Sequence, residues 1–99
     1  MAMAPRIVDR GGVVVDLSAD FRLKDPAVYE RWYKVPHTQT ELLKRAAFGL
    51  PELFPDDLIA AAQQRKEGKG AVVGCAGCYP TATTLAAAPA VRLGLVDDK

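Results

Sequence analysis

Apolar and polar positions alternate between two rhythms along this chain. Val13-Val14-Val15-Asp16-Leu17 is a β-branched run and predicts a buried parallel strand. Ala71-Val72-Val73-Gly74 is a second short apolar run and predicts another. Between them the pattern is helical. Asp25-Pro26 is a helix start, with Asp25 as N-cap and Pro26 at the first position, and the helix runs to about Tyr33. Val28, Trp32 and Tyr29 or Tyr33 form its apolar side. Val35-Pro36-His37 breaks it, and Thr38 or Thr40 caps a second short helix through Ala47. Gly49 to Pro55 reads as an irregular connection. Pro55 opens a helix over 56–66, with acidic residues in its first turn and Arg65 and Lys66 in its last. Glu67-Gly68-Lys69-Gly70 is a turn. Ala4 to Arg10 reads as the last turns of a helix ended by Gly11-Gly12. The small-residue run Thr81 to Val91 predicts a final helix, kinked or split at Pro89 and ended by Gly94.

This order of strand, helices, strand and helix is an α/β pattern, a partial Rossmann-like doubly wound domain with an incomplete parallel sheet and flanking helices. Two strands are a marginal sheet by themselves, so the pattern predicts a part of something larger. Composition changes this little. The 99 residues allow one small domain, and 49% hydrophobic with 25% charged is ordinary for a soluble globular chain. A formal net charge of +1 with no dense basic stripe points away from nucleic acid. No apolar run approaches the ~20 residues of a membrane span. Without a signal-peptide pattern, and with only Cys75 and Cys78, a reducing cytoplasmic setting is expected.

The candidate chemistry lies in Gly77-Cys78-Tyr79-Pro80-Thr81. A cysteine stands where a strand ends and a helix begins. With Pro80 at the first helical position, Cys78 lies just before the first turn, facing unpaired N–H groups and the positive end of the helix dipole. That setting favours thiolate over thiol. Gly77 supplies backbone freedom and room for a substrate. Ser18, Asp20 and Arg22 follow the first strand, at the carboxyl end where ligands gather in open α/β sheets. Plainer readings stand beside these. Asp16 and Asp20 cap turns or bind backbone N–H groups, and Ser18 is as much a turn-former as a ligand contact. His37 is a solvated loop residue, and Tyr29, Trp32 and Tyr33 are core aromatics. Cys75 is a small core residue at the strand end. Cys75-Ala76-Gly77-Cys78 also fits a C-x-x-C thiol-redox motif. Two cysteines and one distant histidine fall short of a zinc site.

Val14-Val15-Asp16-Leu17-Ser18-Ala19-Asp20-Phe21-Arg22-Leu23 and Gly77-Cys78-Tyr79-Pro80-Thr81 together resemble the N-acetyl-gamma-glutamyl-phosphate reductases of arginine biosynthesis. Pro26, Tyr29-Glu30, Trp32-Tyr33 and Gly49-Leu50-Pro51-Glu52 extend the resemblance over nearly the whole chain. It implies an NADPH-dependent acyl-phosphate reductase related to the semialdehyde dehydrogenases. In such an enzyme a cysteine thiolate attacks the acyl phosphate, phosphate leaves, and the thioester is reduced by NADP(H) to N-acetylglutamate semialdehyde. Cys78 matches the family nucleophile. Backbone N–H groups around Gly77 and Tyr79 are placed to stabilise an oxyanion, and Arg22, with Ser18, is the candidate grip on substrate phosphate or carboxylate.

The chain departs from that family in three ways. No Gly-rich strand–turn–helix fingerprint is present, since Gly68-x-Gly70 and Gly74-x-x-Gly77 have neither its spacing nor its place. The family's catalytic histidine belongs to a substrate domain beyond the cysteine helix. Cys75 stands where asparagine is frequent. Residues 1–99 therefore read as the second half of a cofactor-binding domain, with the Gly-rich half and the substrate domain outside it. Its partners are an acyl-phosphate substrate and the remaining parts of the reductase or a homo-oligomer. Alone it is expected to show little or no reductase activity. The competing readings are a non-catalytic remnant or interaction fragment and a C-x-x-C redox protein.

Overall fold

The computed structural model describes residues 1–97. Eight elements follow one another: α1 (Met3–Val8), β1 (Val13–Asp16), α2 (Pro26–Tyr33), α3 (Thr40–Arg45), β2 (Ala47–Gly49), α4 (Pro55–Lys66), β3 (Ala71–Cys75) and α5 (Cys78–Arg92). The strands form one parallel sheet in the order β1-β3-β2. The last strand in the chain is thus the central one, and it carries the cysteine motif out of its carboxyl end.

The third strand was not legible in the sequence. Ala47-Phe48-Gly49 is too short to show alternation and is defined by its register, with Ala47, Phe48 and Gly49 opposite Val73, Gly74 and Cys75. Its position as an edge strand is secured by α4. Asp57, in the first turn of that helix, accepts the Phe48 N–H at 2.9 Å.

Both faces of the sheet carry helices, as a doubly wound arrangement requires. On one face Val72 meets Ala4 and Val8 of α1, Leu43 and Ala46, and Phe21 from the loop after β1. On the other, Ala71, Val73 and Ala47 pack under Leu58 and Ala61 of α4. Leu43 and Val72 are the largest fully buried side chains. Burying such side chains contributes about 1.5–3 kcal/mol each. Because α4 lies over β2 and β3, the same face of β1 is open: Val13 and Val15 are 43% and 62% exposed.

Local chemistry explains most boundaries. Asp25 Oδ1 accepts the Ala27 N–H at 2.8 Å, so Asp25-Pro26 starts α2 as its residues dictate. Lys34, in the left-handed region at φ 60°, ends it. α3 is preceded by Gln39, and neither Thr38 nor Thr40 caps it. Gly70, at φ 67°, passes so close to the Val8 and Gly12 carbonyls that no side chain fits there. Two expectations about the last helix need correction. It starts at Cys78, which makes Pro80 its third residue; the missing proline N–H still falls among the first four, which have no intrahelical partner. Of the kink or split expected at Pro89, the split is absent: the helix runs on through it, because only one backbone bond is lost between alanine-rich flanks of high helix propensity. Among the described residues no helix is long and apolar enough to cross a membrane.

Candidate active site

Cys78 is the first residue of α5 and is exposed, with two residues between it and the end of the central strand. Gly77 caps the helix in extended backbone (φ −68°, ψ 162°), and no side chain supplies a cap bond. The opening N–H groups of α5 therefore have no side-chain cap, at the end of the helix where its dipole favours negative charge. Tyr79 is 84% exposed, so its ring leaves the approach to Cys78 uncovered. Cys75, the last residue of β3, is half-buried, and both cysteines are free thiols.

The loop after β1 is brought against this junction. Asp16 Oδ1 accepts the Ser18 N–H at 2.8 Å, and Ser18 Oγ accepts the Asp20 N–H at 3.2 Å. Asp16 and Ser18 thus shape two successive turns, as their residue types predict. Phe21 then buries its ring in the core, and its carbonyl crosses β3 at Gly74, where a Cβ would collide with it. That crossing delivers Arg22 to the carboxyl ends of both strands. Its Nε donates to the Cys75 carbonyl at 2.6 Å, and its Nη2 donates to the Leu17 carbonyl at 2.8 Å. Nη1 lies where a Gly77 side chain would begin, 3.2 Å from the position of a Cβ. The space beside Gly77 is therefore occupied by the guanidinium rather than left open. The charge sits one residue from Cys78 in the chain.

Asp20 does not cap a turn with its carboxylate. Oδ1 accepts the Tyr29 hydroxyl at 2.8 Å, and Oδ2 pairs with the amino group of Met1 at 2.9 Å. Burial alone would raise this carboxyl. Burial is the largest single influence, but the hydrogen bonds from the amino group and from Tyr29, with the charge of the amino group, together outweigh it and hold the carboxyl below its ordinary value. Tyr29 moves the other way: burial first, then the bond to the Asp20 carboxylate, push its hydroxyl up to about 12.

His37 was expected in solvent and is buried, 5% exposed. The Gln39 N–H is donated to Nδ1 at 3.1 Å, so the ring proton sits on Nε2, which donates to the Asp20 carbonyl at 2.6 Å. Its own N–H is donated to Glu30 Oε1 at 3.1 Å. Phe21 and Tyr29 meet the ring edge-on, with centroids 5.6 Å and 4.9 Å away. No spacing rule finds such a histidine, because all its partners but Gln39 come from the loop after β1 and from α2. Of the aromatics expected in the core, Tyr29 is buried, whereas Trp32 is 71% and Tyr33 44% exposed. The Tyr33 ring lies beside that of Tyr29, centroids 4.8 Å apart, at the edge of the packed face.

No general family model matches the chain. Individual proteins do. It is 46% identical over 98 residues to the N-acetyl-gamma-glutamyl-phosphate reductase of Symbiobacterium thermophilum, covering 98% of this chain and 25% of that protein. It is 48% identical over 98 residues to the enzyme of that name from Desulforudis audaxviator, covering 98% and 25%. The match to the one from Syntrophobacter fumaroxidans is 48% over 99 residues, covering 100% and 26%. The chain spans about a quarter of the length of these curated relatives. Over nearly its whole length, then, this chain is a relative of the N-acetyl-gamma-glutamyl-phosphate reductases, aligned with about a quarter of each.

Proposed function

We propose that Cys78 is the acyl-accepting nucleophile of an oxidoreductase that acts on N-acetyl-gamma-glutamyl phosphate in arginine biosynthesis. The observation that carries this is an exposed thiol at the first position of α5, on the central strand's carboxyl end, with the Arg22 guanidinium against the adjoining Gly77. The helix dipole and the cation place positive potential at the start of α5, which stabilises anionic species formed there. The sulfur attacks the acyl carbon, the C–O bond to phosphate breaks, and phosphate leaves with the electron pair, so that a thioester remains on Cys78. The N–H groups of the first turn of α5, at Cys78 and Tyr79, stabilise the oxyanion of the intervening tetrahedral species.

Arg22 supports this step by its charge. With Nε and Nη2 engaged by backbone carbonyls, it does not offer the substrate a free bidentate fork, and Nη1 lies against Gly77, the residue before the cysteine. Ser18 contributes by shaping the turn that leads to Arg22.

Reduction of the thioester calls for NADP(H). The Gly68–Gly70 turn does not fit the phosphates of a dinucleotide. It opens a strand rather than a helix, and the Cβ side of Gly70 is filled by the Val8 and Gly12 carbonyls. The described residues are therefore assigned the acylation half alone. We propose that the chain by itself does not turn over.

The test is site-resolved alkylation by iodoacetamide near neutral pH. Cys78 should react about tenfold faster than Cys75, as an exposed, activated cysteine does beside a half-buried one. N-acetyl-gamma-glutamyl phosphate should then leave a hydroxylamine-sensitive acyl group on Cys78 with release of one phosphate. Equal alkylation rates and no acylation would leave only a non-catalytic fragment, and a Cys75–Cys78 disulfide cycled by thiol buffers would mark a redox protein instead.

A further inference from the structure

Arg22 reaches the cysteine junction only because the turn before it, closed by the Arg22 N–H on the Ala19 carbonyl at 3.3 Å, is held in one place. Two side chains from outside that turn grip the same residue within it. Tyr29 of α2 donates to the Asp20 carboxylate, and His37, from the loop after α2, donates to the Asp20 carbonyl. Asp20 is two residues before Arg22. The His37 ring is fixed at every edge: Gln39 N–H on Nδ1, the Asp20 carbonyl on Nε2, Phe21 and Tyr29 against its sides. Among the described residues it and Tyr29 are the buried side chains that carry polar atoms. A buried imidazole with both nitrogens bonded has no group left for a substrate, and its burial is tolerated because those bonds are made.

We infer that His37 is a positioning residue which, as the Nε2–H tautomer bonded to the Asp20 carbonyl, sets the Arg22 guanidinium beside Gly77 and Cys78. The inference rests on the reading of Cys78 as a reactive thiolate for its consequence, though not for its geometry. The chain of effect is short. Nε2–H fixes the Asp20 carbonyl, the turn carries Phe21 over Gly74, and Arg22 closes on the Leu17 and Cys75 carbonyls. Without the histidine donor, the Asp20 peptide is free to rotate toward solvent and Arg22 loses its approach.

Two isosteric replacements separate positioning from bulk packing. In His37→Gln the side-chain amide reaches the Nε2 position and keeps a donor for the Asp20 carbonyl. In His37→Asn the side-chain oxygen keeps an acceptor for the Gln39 N–H and loses that donor. The direct readout is the Arg22 Nε–H resonance of the isotopically labelled full chain, followed with Cys78 alkylation well below the unfolding temperature. Wild type should show a slowly exchanging Nε–H. His37→Asn should exchange about tenfold faster, as a locally opened bond does, and Cys78 should alkylate about threefold slower. His37→Gln should restore both. Protection retained in His37→Asn, or identical behaviour of the two variants, would overturn the inference. Should both variants unfold, Tyr29→Phe removes only the hydroxyl bond to Asp20. It should speed Nε–H exchange by a smaller factor, and an unchanged rate would count against the proposal. Wild-type Cys78 no faster than Cys75 would defeat the thiolate reading alone, since the Nε–H measurement does not depend on it.

Discussion

α4 and α5 both follow a strand of the same sheet, yet the molecule treats them oppositely. α4 is the more polar helix. It nevertheless buries Ala61, lays Leu58 on β3 and β2, and bonds the edge strand through Asp57. α5 is longer and richer in apolar residues, and none of its residues is buried. Val91 is 43% exposed, and Leu93, just past its end, 73%. A shallow groove of about 500 Å³ runs between Leu53 and the Leu85, Ala88 and Pro89 side of α5. In this chain α4 builds the core, whereas α5 adds no buried residue and its start follows Gly77, against which Arg22 lies. Hydrophobicity alone does not decide which helix builds the core; the placement of the strands beneath it does.

That contrast can be broken at several points. The largest effect belongs to the start of α5: Cys78→Ser should abolish acyl transfer and selective alkylation outright, with the circular-dichroism spectrum and melting temperature close to wild type. Ala61→Leu in α4 should overpack the layer against Ala71 and Val73 and cost about 1–3 kcal/mol in urea unfolding. Asp57→Ala should remove the acceptor of the Phe48 N–H together with a favourable first-turn charge, at a cost of about 1–2 kcal/mol in the same assay. The smallest effect is expected at the other end of α5, where Val91→Ala should stay within about 0.5 kcal/mol. A loss as large as that of the α4 variants would mean that α5 is packed after all.

A pH titration tests the loop that serves α5. The phenol of Tyr29 should ionise near 12, against an ordinary 10.0, and be read as a late step in ultraviolet absorbance. Because the folded state holds this proton more tightly than the unfolded chain, the stability it contributes is complete below pH 10 and is lost as the pH rises toward 12. Tyr29→Phe should abolish that late step.

Much of this was legible in order along the chain. Asp25-Pro26 announces α2, Pro55 with its acidic neighbours announces α4, and Gly94 (φ 69°) follows α5 as a terminator. These are local signals, settled by a cap or a fixed φ within a few residues. The Gly77–Thr81 motif was legible as a strand-to-helix junction for the same reason. Its fine placement was not: the helix begins at Cys78, because proline is as compatible with the third position as with the first. β2 was missed because three residues carry no periodicity. Arg22 was visible as a charge at a strand end, but its engagement by two carbonyls was not.

The sequence by itself determined where the chain turns, which runs extend, and that a cysteine opens a helix at a strand's carboxyl end. These follow from side-chain shape and backbone freedom over one or two turns. Only the tertiary structure decided that this strand is the central one, that His37 is buried, and that Arg22 bonds a residue 53 positions away. Each of those depends on pairings between distant segments. Their free energy arises only when the whole sheet closes and both partners lose water together, and no local pattern records it in advance.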